Sequence, residues 1–144
     1  MSAKLPSGEF NVICADPPWT FQTWSAEGKG RSPEQHYDCM SLADVRALPV
    51  QDIAAEDCAL FLWVTDPLLP EAFKLIEAWG FTYKTVAFYW AKLNKSAPRL
   101  LFAVPDFHTG MGYWTRANPE LCLLATKGKP QRVSMSVRRL VIEP

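Results

Sequence analysis

The sequence is short of what several protein classes require. No apolar run approaches the roughly 18 residues that a membrane-spanning helix needs. The opening MSAKLPSGEF has no apolar core of the kind a secretory signal carries. The expectation is a cytoplasmic protein with no membrane partner. Cysteine is scarce, at four residues, and no two of them form a C-x-x-C pair. That argues against a zinc finger and against a disulfide scaffold. Cys14, Cys58 and Cys122 stand in apolar runs, where a thiol behaves as a small hydrophobe and is expected to be reduced and buried. The two histidines, His36 and His108, stand alone, and neither is assigned to a metal. There is no net charge to draw the whole molecule to a polyanion. Repeats and low-complexity tracts are absent.

What is present is a chain of 144 residues, 49% of them apolar, enough for one domain with a real core. Charge is unevenly spread. Residues 1–91 hold six Lys/Arg against twelve Asp/Glu, and residues 92–144 hold nine against three. The second part can attract phosphates, or it can be a solvated surface that is merely asymmetric.

Residues 9–15, EFNVICA, read as a strand, and Asp16-Pro17-Pro18 ends it because neither proline can donate to a ladder. Residues 20–36 follow as a long polar loop. Ser41 opens a short helix with Asp44 in the capping-box position, and Pro49 stops it after Leu48. Residues 58–65, CALFLWVT, form a continuous apolar run suited to a strand covered on both faces. Asp66-Pro67 has the form of an N-cap with proline at the first helical position. Leu68, Leu69, Ala72, Phe73, Leu75, Ile76 and Trp79 then recur at helical spacing up to Gly80. Strands are predicted over 82–91 and 121–126, with irregular chain at 93–115, a turn at Lys127-Gly128-Lys129-Pro130 and a last apolar segment at 140–144. The order predicts an α/β sheet with parallel strands, right-handed crossovers and an antiparallel hairpin at its edge.

In such a sheet ligands bind beyond the carboxyl ends of the strands, where Asp16 stands. Pro17 and Pro18 stiffen the turn and keep their carbonyls as acceptors. Trp19 adds an aromatic face, and a tryptophan left in a loop is expected to be exposed for a purpose. An acid and a proline carbonyl can take both hydrogens of an exocyclic amine while the base stacks on the indole. Two acceptors pulling on that amine localise its lone pair, which favours the state on the way to reaction. Acid plus prolines after a strand is also common turn chemistry.

The residues DPPW at 16–19 resemble the signature of the MT-A70 family of S-adenosylmethionine-dependent adenine-N6 methyltransferases. Further stretches are similar in the family's order: HYDCMSLADVRALPV at 36–50, LFLWVTDPLLPEAFKLIEAWGF at 60–81, FYWAKLN at 88–94 and GYWTRANPELCLLATKGKP at 112–130. The resemblance covers nearly the whole chain. It implies a Rossmann-like methyltransferase sheet with helices on both faces and a permuted motif order. By the same resemblance Asp16, Pro17 and Pro18 hold the target amine, Trp19 lines the base pocket, and Tyr37 contacts the adenosine. Lys92, with Asp16, contacts the cofactor, and Trp114, Arg116 and Glu120 lie near the substrate.

Family members continue past VIEP with a helix, a further strand and much of the cofactor site. Residues 1–144 are therefore expected to be a single domain that lacks the C-terminal part. The implied function is methyl transfer to N6 of adenine in nucleic acid, DNA before RNA. The alternatives are a catalytically silent module that binds nucleic acid or a partner, and a cytosine-N4 enzyme.

Overall fold

A computed structural model describes residues 5–19, 40–96, 106–110 and 112–144. Five strands form one mixed sheet, in the order β1-β2-β4-β3-β5. β1 (Phe10–Ala15) pairs parallel with β2 (Ala54–Val64). β3 (Thr82–Lys92) pairs parallel with β5 (Leu140–Glu143). Between β2 and β3 lies β4 (Pro119–Lys127), antiparallel to both. The α/β class matches the sequence expectation. The antiparallel strand, expected at an edge, lies instead in the middle. The physical reason is burial: Cys122, Leu123 and Ala125 are each about 1% exposed, and such a run needs neighbours on both sides. Its apolar pattern carried that need but not its direction.

Residues of β2 alternate. Cys58, Leu60, Leu62 and Val64 face the core, while Ala59, Phe61 and Trp63 on the other face are half-buried. The run expected to be covered on both faces is sealed on one. Two short helices seal it: α1 (Leu42–Arg46) and α2 (Leu69–Ala78). The indole N–H of Trp79, just past α2, donates to the Val45 carbonyl of α1 at 3.2 Å, so both helices sit on the same face. Helices were expected on both faces; among the described residues the second face carries none.

Local signals mostly hold. Ser41 caps α1, its hydroxyl accepting from the Asp44 N–H at 3.1 Å and donating to the Asp44 carboxylate at 2.7 Å. Gly80 ends α2 at φ 79°, with the Phe81 N–H on the Ile76 carbonyl and the Gly80 N–H on the Glu77 carbonyl, both at 2.9 Å. This double closure needs a residue free to take positive φ. Asp66, expected to cap α2, does not. Asp66–Leu68 is a single 3-10 turn, and α2 starts after it with no side-chain cap. Arg46 and Glu71 tie α1 to α2 by an ion pair, with Lys74 joining Glu71 at 2.8 Å.

Candidate active site at the carboxyl edge of the sheet

The parallel relations bring the ends of β1, β2, β3 and β5 to one edge, together with the start of β4. Asp16, Lys92 and Glu120 therefore share an edge although they are far apart in sequence. The register also decides which face each one takes. Cys14 lies beside Phe61, Trp63 beside Cys122, and Trp90 beside Glu120. Side chains two apart on a strand share a face, so Cys14, Asp16, Phe61, Trp63, Cys122, Trp90 and Lys92 belong to the helix-free face.

Asp16 is exposed, and no hydrogen bond or ion pair engages its carboxylate among the described residues. Partial burial against this apolar face raises its pKa above the ordinary 3.8. The side chain keeps solvent access, so the effect is an upward bias and not the large shift of a sealed acid. The nearby Cys122 thiol is pushed up to about 12, first by its burial, then by Cys14 and Asp16. Cys58 and Cys122 are buried as expected; Cys14 is exposed, because its strand turns it to the open face.

The two prolines end β1 as expected, but Pro17 is buried and Pro18 half-buried, and neither carbonyl is uncommitted. The Pro17 carbonyl accepts the Trp19 N–H at 2.7 Å, and the Pro18 carbonyl accepts the Met40 N–H at 3.1 Å. Each oxygen retains a second lone pair. The first bond closes a three-residue turn centred on Pro18, whose ring pre-sets the angle it needs. The second joins the DPPW turn to the residue before the Ser41 cap, where Trp19 and Met40 form a parallel bridge.

Trp19 is the main correction. It is only 6% exposed and belongs to the hydrophobic core, with its indole N–H donating to the Trp63 carbonyl at 3.1 Å. It offers no open face to a base. The aromatic ring is a peg that holds the acid-proline turn against β2. The expectation failed because a loop position says nothing about the direction in which a bulky side chain turns.

An aromatic floor that sequence reasoning missed takes the open side. Trp63 and Trp90 meet edge to face at 6.2 Å, and Phe61 stacks with Phe88 at 5.9 Å. The ammonium of Lys92 lies 5.0 Å from the Trp90 ring centre, and the Trp90 N–H donates to the Glu143 carbonyl at 3.1 Å. Alternation in LFLWV and FYWAK places these rings on one face of each strand, a signal readable only once the strands are aligned. Three strand spacings separate β1 from β3, and the register sets Asp16 level with Phe88, four residues short of Lys92, so the two positions are roughly 20 Å apart across the floor.

Trp114 and Arg116 are exposed in the segment before β4, and Glu120 lies near the start of that strand. Trp114 has φ 70°, and the Thr115 N–H bonds the Tyr113 carbonyl across it at 2.9 Å. A γ-turn of this sense is rare and costs about 1–3 kcal/mol in backbone strain. Tyr37 lies outside the described residues. The structure thus brings Asp16, Pro17, Pro18, Lys92 and Glu120 to one edge, with Trp114 and Arg116 in the loop that enters it. A shallow groove lined by Phe73, Ile76, Glu77, Phe81, Thr82 and Tyr83 lies at the far end, beside the start of β3.

Lys92 gives this edge a cation for the carboxylate of S-adenosylmethionine, the methyl donor that the resemblance implies, and the aromatic floor beside it offers rings to the rest of that molecule. The MT-A70 family profile matches residues 10–141. A type II methyltransferase from Mycoplasma sp, M.MunI, is 32% identical over 96% of this chain. The human N(6)-adenosine-methyltransferase catalytic subunit METTL3 is 29% identical over 86% of it. The Arabidopsis thaliana N6-adenosine-methyltransferase non-catalytic subunit MTB is 32% identical over 92% of it. The chain spans 60% of the Mycoplasma relative, 18% of the human one and 16% of the plant one. From the acid-proline turn at the end of β1 to the last strand, this chain belongs to the MT-A70 family of methyltransferases.

Proposed function

We propose that this edge is the acceptor side of an adenine-N6 methyltransferase that acts on nucleic acid. One observation carries the reading: among the described residues nothing engages the exposed Asp16 carboxylate, which stands on a rigid turn on the same face of the sheet as the aromatic floor. Bound S-adenosylmethionine supplies a methyl group on a sulfonium. Asp16 accepts one hydrogen of the target amine, and the second lone pair of the Pro17 carbonyl accepts the other. Both acceptors favour the pyramidal nitrogen more than the planar one, which is differential stabilisation. The upward bias on Asp16 also makes it the group suited to take the proton that the methylated nitrogen sheds. Trp19 acts here as a positioning residue. Lys92 meets the carboxylate end of the cofactor, Trp114, Arg116 and Glu120 line the path of the substrate, and the family resemblance adds Tyr37 as a contact to the adenosine.

DNA is proposed over RNA because the chain spans most of a type II methyltransferase, while it covers under a fifth of the human and plant relatives named above. Residues 1–144 as one methyltransferase domain form part of the same proposal. A second reading, a silent module that binds nucleic acid or a partner, is favoured by the likeness to a relative named a non-catalytic subunit.

Calorimetric titration with S-adenosylmethionine, followed by product analysis on adenine-containing DNA and RNA, separates them. Heat of binding and N6-methyladenine are expected, and both the product and its rate should vanish in Asp16→Asn. No heat at millimolar ligand with the fold intact would end the catalytic reading for this chain. N4-methylcytosine as the product would overturn the choice of base.

A further inference from the structure

β5 is the outer strand beside β3, and among the described residues nothing pairs with its far edge. The ladder with β3 decides which backbone groups that edge offers. The Arg139 carbonyl accepts the Tyr89 N–H, and the Glu143 carbonyl accepts the Leu93 N–H, both at 2.9 Å. Successive residues of a strand turn their backbone groups to opposite sides. Arg139, Val141 and Glu143 therefore turn theirs to β3, and Leu140 and Ile142 turn theirs outward. An open row of this kind can take a further strand.

The side chains decide which strand fits. β5 and the residue before it read Arg139-Leu140-Val141-Ile142-Glu143. The run is complementary to its own reverse. Laid antiparallel on a second copy and centred on Val141, it sets Leu140 against Ile142 and Arg139 against Glu143, each pair twice. The outward groups of Leu140 and Ile142 then fall in the hydrogen-bonded pairs of the new ladder. Arg139 and Glu143 fall in the other pairs, where facing side chains come closest. Val141 lies beside Trp90, so Arg139 and Glu143 share the helix-free face. Within one chain those two charges stand four residues apart on a strand, roughly 13 Å. Neither has an ion-pair partner among the described residues. Leu140 is 60% exposed although it is part of the sheet, and Val133, Met135 and Val137 just before it are exposed as well. Apolar side chains gathered at an open edge mark a contact surface. The opposite edge strand, β1, has no charged side chain from Phe10 to Ala15 and so no such complementarity.

We propose that two copies of this chain pair through β5, antiparallel and centred on Val141, joining their sheets into one of ten strands. The two aromatic floors then share one side of the joined sheet, and the two carboxyl edges point in opposite directions.

Sedimentation velocity of the full chain over a dilution series tests the pairing. A monomer–dimer equilibrium is expected, weakened by salt because exposed ion pairs contribute to it. Arg139→Glu sets two carboxylates against each other at both ends of the new ladder, and Glu143→Arg does the same with two cations. Each variant alone is expected to dimerise about tenfold or more weakly than wild type. An equimolar mixture of the two should regain the wild-type affinity, since every facing pair is again opposite in charge. Ile142→Pro removes one outward N–H and leaves the ladder with β3 whole, so it should abolish the dimer with an unchanged circular dichroism spectrum.

A wild-type chain that stays monomeric at every concentration overturns the proposal. So does a dimer that all three variants leave intact, which would place the contact on another face. A mixture of the two charge variants that associates no better than either alone would overturn the register and the proposal with it.

Discussion

Replacing Trp19 with phenylalanine tests whether this residue is a core peg or a surface for the base. The ring is 6% exposed and its N–H reaches the Trp63 carbonyl at 3.1 Å. Phenylalanine keeps an aromatic ring but removes that donor, at a net cost of about 0.5–1.5 kcal/mol. The smaller ring also leaves roughly 50 Å² of apolar surface unburied, worth about 1.2 kcal/mol at 25 cal/mol per Å². The sum is about 2–3 kcal/mol, against a total stability of about 5–15 kcal/mol for a domain. Trp19→Ala is the poorer probe, since deleting a buried tryptophan costs about 3–5 kcal/mol and can unfold the chain. Urea unfolding should therefore show a lower midpoint for Trp19→Phe with an unchanged slope. Substrate KM, measured well below the new melting point, should stay within a few-fold of wild type. The opposite pattern would refute the assignment: an untouched midpoint with a raised KM would make Trp19 a substrate contact.

Three further outcomes are expected. Asp16 has its pKa raised above 3.8 by burial, so its protonated form is the one the fold favours. Its ionisation then costs stability as pH rises from 3.8 through the raised value, and methyl transfer should have an acid limb above 3.8. Asp16→Asn should abolish turnover yet match or exceed wild-type stability at pH 7, read from urea midpoints at several pH values. Lys92→Met keeps the length and loses the charge over Trp90. Stability should change by less than about 1 kcal/mol, while calorimetry shows a weaker cofactor affinity that no longer responds to salt. Gly128 turns the chain after β4 at φ 63°, where a Cβ would strike the Glu56 carbonyl and the Asp57 carboxylate. Gly128→Ala should cost more than about 1 kcal/mol, visible as a lowered melting temperature.

Much of the fold was legible where a local rule decides it. Period and composition located β1, α1, α2, β3, β4 and β5 to within a few residues, and Ser41 and Gly80 were read correctly because caps are satisfied by neighbours in sequence. Asp66 was misread for a related reason. Two prolines three apart, Pro67 and Pro70, allow either a capped helix or a 3-10 lead-in, and packing of Leu68 into the core chose the latter. The long polar tract after Trp19 and the residue Tyr37 lie outside the described residues. The aromatic floor of Trp63 and Trp90 could not be seen, because it joins strands 27 positions apart whose neighbour across the sheet is β4.

By itself, then, the sequence settled which segments are strands, where a stiff acid-bearing turn falls, and which family these residues resemble. Those properties depend on chain geometry and residue chemistry over a few neighbouring positions. Only the tertiary structure decided that β4 runs antiparallel through the middle of the sheet, that the Trp19 ring turns inward while Tyr113 and Trp114 turn outward, and that Asp16 and Lys92 share a face. Strand order and side-chain direction follow from which surfaces can be buried together, and that competition is resolved by the whole core at once.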